Sequence, residues 1–319
     1  MLRYFLGALV LVPTVASAQA LDPLDARVEL DNVDRFAAIW AASDGKPDAV
    51  TLQRDYIDKG DRAIEIFTRG RIEDGANLAA TIAENPALYA DALDRCLPWV
   101  REASPTLRAT YLGLSGLLPG RPLPRIAVVI GADNSGGTAG EGMQVLGLEV
   151  LCRTSKDRAA FDAQLRKFFA HETVHTLQGR GDDDDNYLLR QTMVEGVADY
   201  IASLVTGRPP SAERDAWARP KEAELFQIFA KDVAEVRRLE ADPADTTREI
   251  MTILRRWHAN AGSPPEGWPG ELGYWMGRRI AESYVARAED KRAAIDALVD
   301  MKDVDAIIAG SDYADLLAR

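Results

Sequence analysis

The sequence predicts an α+β fold that is predominantly α-helical, with one small sheet. Three observations carry this. Apolar residues recur at helical spacing through most of the chain. A single β-like region, residues 125–152, interrupts them. The composition is that of an ordinary globular protein, with 47% hydrophobic and 28% charged residues among 319. That length suits one large domain with two lobes, or two small domains.

Residues 1–18 read as a signal peptide. Arg3 supplies the positive start, Phe5 to Val15 a short apolar run, and Ala16-Ser17-Ala18 a cleavage site before Gln19. The run is too short to span a bilayer. No cysteine follows the site to carry a lipid. The mature chain is therefore expected to be exported, periplasmic or secreted, with no stable membrane insertion. In such a compartment Cys96 and Cys152 form either one bridge, closing a loop of 56 residues, or two separate buried thiols. The formal charge is −12, from 50 acidic and 38 basic residues. This leaves no basic footprint for nucleic acid and no general attraction to anionic membranes.

Residues 19–120 are expected to form a helical N-terminal lobe. Leu30, Val33, Phe36, Ala37 and Trp40 recur at helical spacing. Tyr56, Ala63, Ile64 and Phe67 do the same, after a break at Gly45-Lys46-Pro47. Pro86 opens a further helical run to Cys96. The prolines and glycines of Leu114 to Pro124 make the connector to the remainder, residues 121–319. There, Ile126 to Ile130 is a short strand. Gly131 to Gly142 is a polar, glycine-rich loop without the phosphate-binding G-x-x-x-x-G-K-[ST] pattern. Met143 to Cys152 reads as a second strand, with Leu146, Leu148, Val150 and Cys152 on one face.

The chemistry begins at His171-Glu172-Thr173-Val174-His175. Ala159 to Gln178 contains no proline or glycine, Gly179 is a plausible stop, and Thr154 with Asp157 resembles a capping box. On a helix, His171 and His175 share one face, one turn apart. Both can present a ring nitrogen to one Zn²⁺. Glu172 lies about 100° round the helix, where a general base can reach a water on the metal. Leu165, Phe169, Ala170, Thr173, Val174 and Leu177 cover the opposite side, so the helix is buried. Buried histidines need polar partners, and a metal supplies them.

A catalytic zinc usually takes three protein ligands. Glu195, 20 positions after His175, offers the third. Val194, Val197, Ala198 and Ile201 mark its helix as facing the core. Asp199, one turn on, is placed to accept a ring N–H from a ligating histidine and fix its tautomer. Between the two helices, Asp182 to Asp185 either bind Ca²⁺ or form a solvated loop; they lack EF-hand spacing. Residues 211–260 are helical and charged. His258, the one histidine outside the motif, is either an oxyanion donor or a surface residue. Residues 262–273 are a Gly/Pro loop, and the last forty residues are terminal helices.

H-E-x-x-H followed by E-x-x-x-D resembles the gluzincin clan of zinc metallopeptidases. More closely, the chain resembles the predicted Zn-dependent protease family known as domain of unknown function 2268. The matching pieces are Asn134-Ser135-Gly136-Gly137-Thr138, Leu146-Gly147-Leu148-Glu149, the two metal motifs, Leu272 to Ile280 and Ser311-Asp312-Tyr313. The resemblance covers most of residues 50–319. It implies a gluzincin-like zincin that holds one Zn²⁺ and hydrolyses peptide bonds, with a sheet edge beside the metal helix. By analogy that edge is Met143 to Cys152, and an extended peptide or protein substrate adds to it as a strand, the loop glycines letting backbone approach. Tyr274 either donates to the developing oxyanion or packs. Arg278 or Arg279 would hold a substrate carboxylate. The competing class is a non-catalytic exported binding protein whose zinc is structural, closed by four protein ligands. A zinc amidase acting on cell-wall material is a third possibility.

Overall fold

The computed structural model describes residues 21–140, 142–179, 186–242, 244 and 246–317. The export segment at 1–18 and the acidic run Asp182–Asp185 lie outside the described residues. The architecture is mostly helical with a small mixed sheet, an α+β fold.

The helical N-terminal stretch follows from its apolar spacing and its caps. Asp31–Ala42 buries Val33, Phe36 and Ile39. Asp48, Asp61 and Asp74 each accept a backbone N–H at a helix start. Pro86 opens Pro86–Asp91, where its missing N–H costs nothing.

Four strands form the sheet: β1 (Val28–Glu29), β2 (Arg125–Val129), β3 (Gly137–Gly140) and β4 (Met143–Gly147). Their order is β1-β2-β4-β3. β2 runs parallel to β1 and β4, while β3 is antiparallel to β4. Ile126 to Val129 and all of β4 are buried, as strands covered on both faces must be. The two-residue β1 has no periodicity by which a sequence could announce it.

The structure corrects three expectations. The strand expected over Met143–Cys152 ends at Gly147, and Leu148–Arg153 is a helix. Leu148, Leu151 and Cys152 are buried at helical spacing, and a short apolar run carries both periods at once. Second, β4 is interior; the sheet edge is β3, from the segment read as a loop. Third, the cap of the metal-motif helix is Asp157 itself, accepting from Ala160 N–H at 2.8 Å, while Thr154 pairs with Gln164.

Residues on both sides of position 120 share one sheet, one core and one covalent link. β1 pairs with β2. Tyr56 donates to Ile130 O at 2.8 Å, and Tyr89 to Gly131 O at 3.1 Å. Cys96 and Cys152 are joined in a disulfide. The buried apolar cluster extends continuously from Ala26 to Leu317.

Three helices carry the motif residues: the histidine helix (Arg158–Leu177), the glutamate helix (Tyr187–Thr206) and the tyrosine helix (Leu272–Arg287). Asn186 caps the glutamate helix, and Gly207 ends it at φ +69°. The glutamate and tyrosine helices cross at Gly196 and Gly277. A Cβ on Gly196 would stand 2.2 Å from the Gly277 carbonyl carbon, and one on Gly277 would stand 2.0 Å from Thr192 O. The two backbones therefore touch. Helices Ala212–Ala218, Glu222–Glu240 and Thr247–Trp257 pack around this pair, and Lys291–Asp300, Val304–Ala309 and Ala314–Leu317 close the chain. Among the described residues no helix is long and apolar enough to cross a membrane.

Candidate metal centre

The histidine helix places both imidazoles toward the glutamate helix. His171 Nε2 and His175 Nε2 are 3.1 Å apart, and Glu195 Oε2 lies 3.3 Å from each. Donors arranged tetrahedrally about an ion at about 2.0–2.1 Å stand about 3.3 Å from one another. The triangle thus has the edge length that one such ion requires. Its chemistry, two imidazole nitrogens and a carboxylate oxygen, suits zinc. Glu195 Oε2 is buried and has no hydrogen-bond partner; a cation would satisfy it. Among the described residues this cluster has three members, His171, His175 and Glu195.

Each imidazole is held from behind. His171 Nδ1 is 2.9 Å from Asp199 Oδ1. His175 Nδ1 is 2.7 Å from Gln178 Oε1, and Gln178 in turn donates from Nε2 to Val194 O at 2.8 Å. With the Asp199 carboxylate behind one Nδ1 and the Gln178 amide oxygen behind the other, both Nε2 atoms face the centre. Helix spacing points to Asp199 but not to Gln178, whose signal is H-x-x-Q, one turn past the second histidine, at a helix end where its amide can bridge to the neighbouring helix. Arg214 adds a further layer: its Nη1 lies 3.8 Å from Asp199 Oδ2 and its guanidinium stacks on the Tyr274 ring, 5.4 Å from the centroid.

The charges are strongly coupled. Burial alone depresses the His171 pKa, but Asp199 and Glu195 outweigh it and raise the ring to about 10. Burial alone raises the Glu195 carboxyl, and the two histidines overcome it and hold it well below the usual range. Protein cation and protein anion thus balance each other where a metal would balance the anion.

Glu172, His175 and Tyr274 line an open cleft of about 790 Å³, which also meets the triangle. β3 forms one wall through Gly137, Thr138 and Ala139. The glycines at its start serve packing: a Cβ on Gly137, or on Gly136 just before the strand, would approach the Phe168 ring to 3.1 Å. They let the edge strand lie directly on the histidine helix. Tyr274 reaches the centre because the Gly196–Gly277 crossing sits one turn from it. Its ring stacks on His171 at 5.9 Å between centroids. Burial first, and then the Glu195 charge that its hydroxyl meets, raise the phenol pKa, so it stays a protonated donor.

Other candidates lie elsewhere. Arg278 is buried against Asp215, and Arg279 pairs with Glu222 at 3.0 Å and with Glu282. Neither faces the cleft, whose arginines are Arg71 and Arg190. His258 is not a surface residue: it is buried, with Nε2 2.9 Å from Thr192 Oγ1. Burial lowers its pKa to about 4, so it is neutral at ordinary pH. It packs against Gly273 and behind Tyr274, at 5.8 Å between rings, and so supports the phenol instead of facing substrate.

The chain matches no protein-family model, no curated protein and no solved structure.

Proposed function

We propose that this protein is an exported zinc-dependent peptide hydrolase of gluzincin type, with His171, His175 and Glu195 as the metal ligands. The observation that carries the reading is the 3.1–3.3 Å triangle of ligand atoms beside a partly exposed Glu172 in an open cleft. Three protein ligands leave a coordination position for chemistry, as catalytic zinc requires. Bound zinc would supply Lewis acidity, polarising the scissile carbonyl and making a water acidic enough to lose its proton near neutral pH. Glu172 takes the proton from the attacking water and delivers it to the leaving amine. Tyr274 donates to the oxyanion as it develops. Asp199 and Gln178 keep the two imidazoles oriented. The outer edge of β3 accepts an extended peptide as an added strand. The Cys96–Cys152 disulfide supports an oxidising compartment, in agreement with the export signal read at residues 1–18.

The test is Glu172→Gln. The variant should retain stoichiometric zinc by elemental analysis and lose peptide hydrolysis by about 10²-fold or more. Full turnover by that variant against a peptide library would remove Glu172 from its role. Zinc-free protein from a zinc-replete preparation would remove the metal.

A further inference from the structure

A second concave site lies behind the metal centre. It is a groove of about 670 Å³ between the N-terminal half of the histidine helix and the C-terminal half of the glutamate helix, bordered by residues 208–214. Four of its lining residues are cationic: Arg166, Lys167, Arg208 and Arg214. None is acidic, in a chain whose formal charge is −12. Elsewhere several arginines find carboxylates, as Arg125 does with Glu29 at 2.7 Å, Arg158 with Asp162 at 2.9 Å and Arg279 with Glu222 at 3.0 Å. Around the groove Arg166 and Arg208 do not. Arg166, Lys167 and Arg208 make no side-chain hydrogen bond or ion pair among the described residues. Arg214 donates from Nε to Gly270 O at 3.0 Å and pairs through Nη1 with Asp199 Oδ2 at 3.8 Å. Gln164 and Ser211 add neutral polar groups to the walls.

We propose that this groove binds a small multivalent oxyanion of the phosphate type. Three cations without an ion-pair partner among the described residues, with Arg214 beside them, create a positive potential around one cavity that a single monovalent ion offsets only in part. Three guanidinium groups present paired donors that match the spacing of phosphate oxygens. Arg214 is where the groove meets the metal centre, through Asp199 and His171. An anion on Arg214 draws its charge away from Asp199, leaving a more negative potential behind the metal ligands. The anion site itself does not depend on the hydrolase reading.

The experiment is calorimetric titration of metal-free protein with inorganic pyrophosphate at low ionic strength, against sodium chloride of equal ionic strength. Saturable one-to-one binding is expected for pyrophosphate and not for chloride. Arg166→Glu with Arg208→Glu should weaken it about tenfold or more. Both side chains are exposed and unpaired, so the melting temperature should be unchanged. Arg71→Glu, in the metal cleft, should leave the affinity as it was. Absence of saturable binding, equal affinity in the double variant, or loss in Arg71→Glu alone would each overturn the assignment.

Discussion

In the proposed centre Asp199 and Gln178 would act on a bound metal through the imidazoles, and their effect belongs to single side chains. Asp199→Asn keeps the shape but exchanges a charged acceptor for a neutral one. Gln178→Ala frees His175 Nδ1 and breaks the bridge to Val194. Each should lower zinc affinity about 10–100-fold, measured by competition with a chelator of known strength; a change under twofold in both would dismiss the orienting role. This layer was half legible beforehand. The spacing of His171, His175, Glu195 and Asp199 obeys helix geometry, so a periodicity argument reaches it. Gln178 lies at the last turn, where its target is set by the neighbouring helix, and no period reports that. Arg214 is more remote still, since a loop and a short helix bring it back to Asp199. Arg278 and Arg279 failed for the opposite reason: a cation near a motif invites a ligand, but Asp215 and Glu222 had already claimed both.

At the scale of elements, the position of Tyr274 depends on a crossing made of glycine. Gly196→Ala would push a methyl into the Gly277 backbone, which cannot step aside as a flexible side chain could. We expect destabilisation of about 1–3 kcal/mol by urea unfolding, together with loss of activity out of proportion to zinc content, because the helix carrying Tyr274 is displaced. The loop that launches β3 depends on Glu149. This carboxyl is fully buried and accepts N–H bonds from Gly131 at 3.0 Å and Asp133 at 3.4 Å. Burial pushes its pKa up to about 7, against the pull of those donors. Its folded pKa is raised, so its contribution to stability is complete below about 4.5 and gone above about 7. Over that interval the unfolded chain releases a proton that the native state retains. Unfolding free energy should fall by on the order of 3 kcal/mol as pH rises through it, and Glu149→Gln should remove that slope relative to the parent. Equal slopes would show that Glu149 titrates normally. Leu146-Gly147-Leu148-Glu149 stood out in the sequence without a role; its role required knowing that the strand stops at Gly147. β3 stayed hidden because Gly-Thr-Ala-Gly has almost no strand propensity; its pairing with β4 and its seat on Phe168 make it a strand.

For the whole molecule, the helical content and the core helices were legible from apolar spacing, but the way residues before and after position 120 lock together was not. That lock is long-range: a two-residue strand, two tyrosine hydroxyls and one disulfide. Closing a loop of 56 residues, the bridge should contribute about 4 kcal/mol through the unfolded chain. Urea midpoints of Cys96→Ser with Cys152→Ser against the parent check this, and coincident midpoints would show the bridge to be inert. Because the apolar core is continuous without any metal, chelation should leave the far-ultraviolet circular dichroism intact and lower only the melting temperature. A collapse of helicity on chelation would mean that the ion holds the fold together.

On the proposed reading, the outer rim of β3 has a consequence for the kind of target this protein would act upon. A polypeptide joining that rim must offer a run of free amides and carbonyls, and natively folded neighbours keep theirs engaged in their own helices and sheets. Frayed tails, unstructured linkers and heat-damaged chains offer them freely. Selection by this cleft would therefore fall first on the conformation of its target and only then on side-chain identity, sparing intact proteins and removing those that have come undone.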